Sequence, residues 1–247
     1  MVCAIARTGS NLLTDGLRST RRAGRPMQFF LPKFEERYGS RHGLSPGADF
    51  PGYIRGIVEG TKTENEVSAF KVMGWYLEEF LQRLRGSGAF GGLGAKDTDL
   101  LRRAFPRIRY VQILRRNKLR QAISKAKATQ TGLWKIRGEN AAAAQPQFDE
   151  GLITRCLADT AADEEIWNIF FRRNGIEPFV VQYEDLCQDY EATIRRVLNH
   201  LKIRMPASEK IAPPQTIRQT DSLSREWEER YLALHPSAAE TLPSLTA

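Results

Sequence analysis

The sequence predicts an α/β protein of P-loop-like, three-layer type, with a central, mostly parallel sheet flanked by helices. Three observations carry that reading. Short apolar runs alternate with amphipathic segments along the chain, the order that builds parallel sheets. A Gly-Ser turn follows the first apolar run directly. A basic cluster follows a later run, at the place where such sheets present ligand-binding residues.

Taken in order, Val2 to Ile5 is a short buried strand, Thr8 to Ser10 the turn, and a helix starts near Asn11, with Leu13 and Leu17 one turn apart. Ala23-Gly24-Arg25-Pro26 breaks it. Met27 to Leu31 is apolar and leads into a stretch read as irregular to about Gly52, because Pro46-Gly47 and Pro51-Gly52 interrupt it. Val67 to Met73 is a second strand containing Lys71, followed by a helix from about Trp75 to Leu84 and a glycine-rich excursion from Gly86 to Gly94. Leu100 to Phe105 is helical, Arg109 to Leu114 a strand, and Lys118 to Thr131 a helix. A long amphipathic helix over Ile153 to Asn174, a strand over Phe179 to Tyr183 and a helix over Tyr190 to Leu201 complete the pattern.

The 247 residues, 41% hydrophobic, suffice for one core, and no linker divides them, so a single domain over 1–247 is expected. No run approaches the roughly 18 apolar residues of a membrane helix. The three cysteines have neither pairing nor metal-ligand spacing, which favours a reducing, cytoplasmic setting and no metal. A net charge of +8 draws anions without choosing among them.

Two segments narrow the choice. In Arg7-Thr8-Gly9-Ser10-Asn11-Leu12, the glycine lets backbone approach an oxygen ligand, and the helix start behind it offers free N–H groups. No lysine follows as in the nucleoside-triphosphate-binding P-loop motif, and no metal-binding aspartate stands out, which argues against a kinase. In the second segment Arg115 and Arg116 end a strand, and Ser124 lies eight residues beyond Arg116. Such arginines suit a phosphate, although Lys118, Arg120, Lys125 and Lys127 would equally make a solvated basic helix start. A ligand with two separated phosphate ends, a nucleotide of the adenosine bisphosphate type, would need both segments. The basic residues lack the interleaved aromatics of a nucleic-acid module.

At this point the residues resemble a family. A basic residue before Gly9-Ser10, followed later by Arg-x(7)-Ser, is similar to sulfotransferases that use 3′-phosphoadenosine 5′-phosphosulfate (PAPS). The bacterial trehalose 2-sulfotransferase family is closer still. That resemblance runs through Ala23 to Phe30, Lys71 to Trp75, Gln121 to Ser124, Gln130 to Trp134, Arg218 to Asp221, Glu226-Trp227 and Glu229 to Tyr231.

The resemblance implies sulfuryl transfer from PAPS to a hydroxyl of a carbohydrate or glycolipid, without a metal, in a family that often forms dimers. It implies that Arg7, Thr8, Gly9, Ser10, Asn11 and Leu12 bind the phosphosulfate. Ser124 with Arg115 or Arg116 would hold the 3′-phosphate, and Arg218 and Gln219 would close over the nucleotide. Arg7 suits the leaving oxygen and Lys71 could help it, although a lysine ending an edge strand is the plainer reading. Arg25, Gln28, Phe29, Phe30, Trp75 and Trp134 would face the acceptor, with core packing the alternative for each aromatic.

The chain departs from the family at Gln28, where a glutamate general base is usual, and at Arg25, where the trehalose enzyme has an acidic residue. Three readings stay open. Gln28 orients the acceptor while Glu35, Glu36 or His42 takes the proton. Water or the donor takes it. Or the protein binds nucleotide with little turnover. The reversal at Arg25 favours an acceptor other than trehalose.

Overall fold

The computed structural model describes residues 1–134, 145–214 and 222–236. Four strands form one all-parallel sheet: β1 (Val2–Ala4), β2 (Lys71–Met73), β3 (Val111–Leu114) and β4 (Phe179–Gln182), in the order β2-β1-β3-β4. Val2 sits opposite both Lys71 and Val111, and Val111 opposite Phe179. The α/β, helix-flanked parallel architecture expected from the sequence is therefore present. Because the chain leaves β1 first for one side and later for the other, the strand order reverses between β1 and β3. That reversal opens a crevice at the carboxyl ends of the strands.

The flanking helices are α1 (Ser10–Ser19), α2 (Pro32–His42), α3 (Phe50–Thr61), α4 (Leu77–Gly86), α5 (Asp97–Ala104), α6 (Lys118–Thr131), α7 (Glu150–Asn174), α8 (Tyr183–Gln188), α9 (Tyr190–His200) and α10 (Ser222–Leu234). A 3₁₀ turn, Gly74–Tyr76, joins β2 to α4. One correction to the sequence reading concerns helices. The stretch between Leu31 and Gly52, read as irregular, contains α2 and the start of α3. Pro32 and Pro51 occupy first-turn positions, where the missing N–H is one that no helix bonds anyway. Asp49 caps α3 by accepting from the Gly52 amide at 2.7 Å. The second strand is also shorter than expected, covering Lys71–Met73 alone.

The main core gathers on the sheet and around an aromatic cluster. Phe30 stacks on Phe80 at 4.5 Å and meets Phe70 edge-on at 5.3 Å. A second apolar cluster lies apart: Leu119, Ile123 and Ala126 of α6 pack with Ile153 and Cys156 of α7 and Trp227 and Tyr231 of α10. Cys3, Cys156 and Cys187 are all free thiols, and burial pushes Cys3 up to about 12. Among the described residues no helix is long and apolar enough to cross a membrane.

Candidate active site

Each strand hands one or more residues to a single cavity of about 1190 Å³: Ala6 and Arg7 after β1, Trp75 after β2, Arg115 after β3 and Tyr183 after β4. The two phosphate-suited segments, roughly a hundred residues apart in sequence, thus line one space. Small-ligand sites usually span about 300–1,000 Å³, so this cavity has room for a nucleotide and a second reactant together.

The first turn is built by backbone. Arg7 has φ 63° and Gly9 φ 79°, both left-handed. For Gly9 the reason is plain: a Cβ would stand 2.3 Å from Cδ2 of Tyr183. Thr8 is fully buried and spends its hydroxyl on the Ile5 carbonyl at 3.0 Å, so it shapes the turn and does not line the cavity. Gly9 brings no capping side chain and the first turn of α1 has no acidic residue. The early amides of α1, at Ser10, Asn11 and Leu12, therefore have no helical acceptor and form a ready anion seat. From β2, the buried Lys71 ammonium donates to Ser10 Oγ at 3.2 Å and Asn11 Oδ1 at 2.8 Å.

The second segment meets the first directly. Arg7 Nε donates to Ser124 Oγ at 2.9 Å and Nη1 to the Trp134 carbonyl at 2.8 Å. Gln121 Nε2 donates to the Ala6 carbonyl at 2.7 Å, tying α6 to the turn. Arg115, only 8% exposed, lies over the Tyr183 ring at 4.7 Å, and its Nη1 donates to the Arg7 carbonyl at 3.4 Å. Its Nε has no hydrogen-bond partner among the described residues. Burial lowers the pKa of Arg115; burial and then the neighbouring Arg115 charge lower that of Arg7 to about 10. Neither arginine forms an ion pair among the described residues. Glu184 acts on Arg115 only from beyond ion-pair distance, and two adjacent, desolvated cations left in that state are what a polyanion would relieve.

Arg116 is placed differently. It stays outside the cavity in a two-pronged pair with Asp185, at 2.7 and 3.0 Å, while Glu184 accepts from the Arg116 and Asn117 amides. Tyr183, Glu184 and Asp185 together pin the corner after β3, a role not separable by sequence from a helix cap. Arg120 also lines the cavity, held by Glu228 of α10 at 2.6 Å.

Of the residues expected to face an acceptor, Gln28 lines the cavity, as do Trp75 and Trp134, which are 55% and 50% exposed. Phe29 and Phe30 do not: both are 2% exposed, with Phe30 in the aromatic core and Phe29 edge-on to Tyr38 at 5.1 Å. Arg25 is exposed and outside the lining. Glu35 pairs with Arg83 at 2.5 Å, His42 stacks on Tyr38 at 4.1 Å, and neither they nor Glu36 line the cavity. Arg218 and Gln219 lie outside the described residues. Among the described residues there is no cluster of histidine, cysteine or carboxylate groups that could hold a metal ion.

Comparison with known proteins agrees with this geometry. Residues 1–233 match the family model described as Stf0 sulphotransferase. A trehalose 2-sulfotransferase of Mycolicibacterium smegmatis is 27% identical, the alignment covering 94% of this chain and 93% of that protein. A trehalose 2-sulfotransferase of Mycobacterium tuberculosis is also 27% identical, over 96% of this chain and 95% of its own length. With the family match spanning nearly every residue, the chain belongs to the Stf0 sulphotransferase family.

Proposed function

We propose that the protein transfers a sulfuryl group from PAPS to a hydroxyl of a carbohydrate or glycolipid acceptor. One observation carries the reading: Arg7 and Arg115, desolvated and in no ion pair among the described residues, flank the open N-terminus of α1 in one cavity. A family of sulfotransferases with that arrangement calls for a donor anionic at both ends, and the named relatives act on a sugar.

In this reading the α1 amides and Lys71 face the phosphosulfate. Held by Ser10 and Asn11, the Lys71 ammonium offsets charge that grows on the leaving oxygen. Arg115 and Ser124 take the 3′-phosphate, because Arg116 is committed to Asp185. Arg7, bonded to Ser124, stands between the two ends. Trp75 and Trp134 offer apolar faces to the acceptor, and Gln28 orients its hydroxyl by hydrogen bonding. Positioning and electrostatics supply most of the rate, as in phosphoryl transfer.

Thermal-shift titration with adenosine 3′,5′-bisphosphate tests the donor site. At 100 times Kd, binding adds about 2.7 kcal/mol, or roughly 5–11 °C in Tm for a chain of this size. Labelled PAPS with trehalose, glucose and glucuronic acid then tests transfer. No shift at millimolar nucleotide overturns the proposal. Gln28 favours a second reading, nucleotide binding without turnover, because glutamine accepts no proton at neutral pH. Binding without transfer would select it.

A further inference from the structure

The geometry points to Asp163 of α7 as the group that takes the acceptor's proton, replacing the carboxylate absent at position 28. This inference rests on the sulfuryl-transfer reading above. Asp163 lines the same cavity as Gln28, Lys71 and Trp75. Its position is fixed by packing: α7 crosses the end of β2 so closely that a Cβ on Gly74 would stand 2.7 Å from the Asp163 carbonyl oxygen. One turn on, Trp167 donates from Nε1 to the Ala4 carbonyl at 3.0 Å, anchoring this part of α7 over the end of β1. Asp163 therefore borders the ends of both strands that lead into the phosphosulfate turn and Trp75.

A side chain without a partner among the described residues sets it apart from the neighbouring carboxylates. Asp159, the other acidic residue in the lining, is paired with Lys125 at 3.1 Å. Glu35 is paired with Arg83, and Glu36 lies outside the lining. The Asp163 side chain makes no hydrogen bond or ion pair among the described residues. The charges that face it are Lys125 from α6 and Asp159 one turn back on α7; the turn at Gly74–Tyr76 brings no charge. Burial, outweighing Lys125, raises its pKa above the usual carboxylate value, which moves a carboxylate toward general-base strength.

The step balances without another reagent. The acceptor oxygen forms its bond to sulfur as the bond from sulfur to the leaving phosphate oxygen breaks, with the electron pair going to that phosphate. The hydroxyl proton passes to the Asp163 carboxylate and later to solvent.

The test is D163N, with D163E as the conservative variant, assayed by release of adenosine 3′,5′-bisphosphate from PAPS. Acceptors are trehalose, glucose, glucuronic acid and water alone, across a range of pH. Expected is a fall of about 10²–10⁴-fold in D163N with every acceptor and loss of the acid limb of the rate profile. D163E keeps the limb, and nucleotide binding by thermal shift is unchanged in both. An intact limb in D163N with activity within threefold of wild type overturns the inference. So does nucleotide binding by wild type with no turnover even to water, since no base would then be at work. Absent nucleotide binding would instead remove the donor reading beneath it.

Discussion

Replacing Gly9 with alanine tests how the first turn is built. The residue has φ 79°, and its Cβ would meet Tyr183 Cδ2 at 2.3 Å and Cε2 at 2.9 Å. Left-handed backbone costs a non-glycine residue about 1–2 kcal/mol. Overfilling a packed contact adds about 1–3 kcal/mol, for a total near 2–5 kcal/mol. Gly43 supplies the control: its φ is 64°, yet nothing lies within 4 Å of its Cβ site. G43A should therefore cost only the backbone share, about 1–2 kcal/mol. At about 2–4 °C per kcal/mol for chains of 150–250 residues, G9A lowers Tm by roughly 4–20 °C and G43A by roughly 2–8 °C. Calorimetry measures both, and the Y183A background separates the two terms. With the ring removed, G9A should cost no more than G43A, a coupling expected only between touching residues. If G9A is as mild as G43A with Tyr183 intact, the ring does not set the turn and the argument fails.

Other outcomes follow from the same geometry. R115M should weaken adenosine 3′,5′-bisphosphate binding by about 10–150-fold, the loss of charged hydrogen bonds worth about 1.5–3 kcal/mol. R116A breaks an exposed pair worth at most about 1 kcal/mol and should leave affinity within about threefold; calorimetric titration showing the reverse order would assign the 3′-phosphate to Arg116. Q28E puts a carboxylate in the cavity lining, and in the D163N background it should recover activity by at least tenfold if both positions reach the same hydroxyl. The stability of the fold should also carry the mark of Asp163. Its folded pKa lies above the ordinary aspartate value of 3.8, so the folded chain keeps this proton where the unfolded chain has released it. Its contribution to stability falls as pH rises from about 3.8 through the folded value, and the difference between D163N and wild type should grow over that window in chemical denaturation.

Sequence alone was sufficient where an element announces its own ends. α6 runs from Lys118 to Thr131 as read, with Asn117 accepting from the Arg120 amide at one end and Gly132 left-handed at the other. The alternation of strand and helix gave the parallel sheet because it is a property of the whole chain. Proline-glycine pairs misled between Leu31 and Gly52, since their effect depends on whether proline falls in a first turn or an interior. Phe29 and Phe30 could not be placed because a wall and a core use the same side chains. The choice between Arg115 and Arg116 turns on Asp185, almost seventy residues away, and no local pattern reports such a partner. Asp163 was not legible for a similar reason: the pattern of α7 shows an amphipathic helix, while the crossing over Gly74 that singles out one polar residue on it is purely tertiary.

Glu228 of α10 accepts from Asn117 Nδ2 at 2.9 Å and from Arg120, fastening the last described helix onto the first turn of α6. The joint rests on its own small apolar cluster and not on the main one. A cut ahead of Ser222 would thus leave the sheet standing while loosening the shelf on which the nucleotide's far phosphate is to rest.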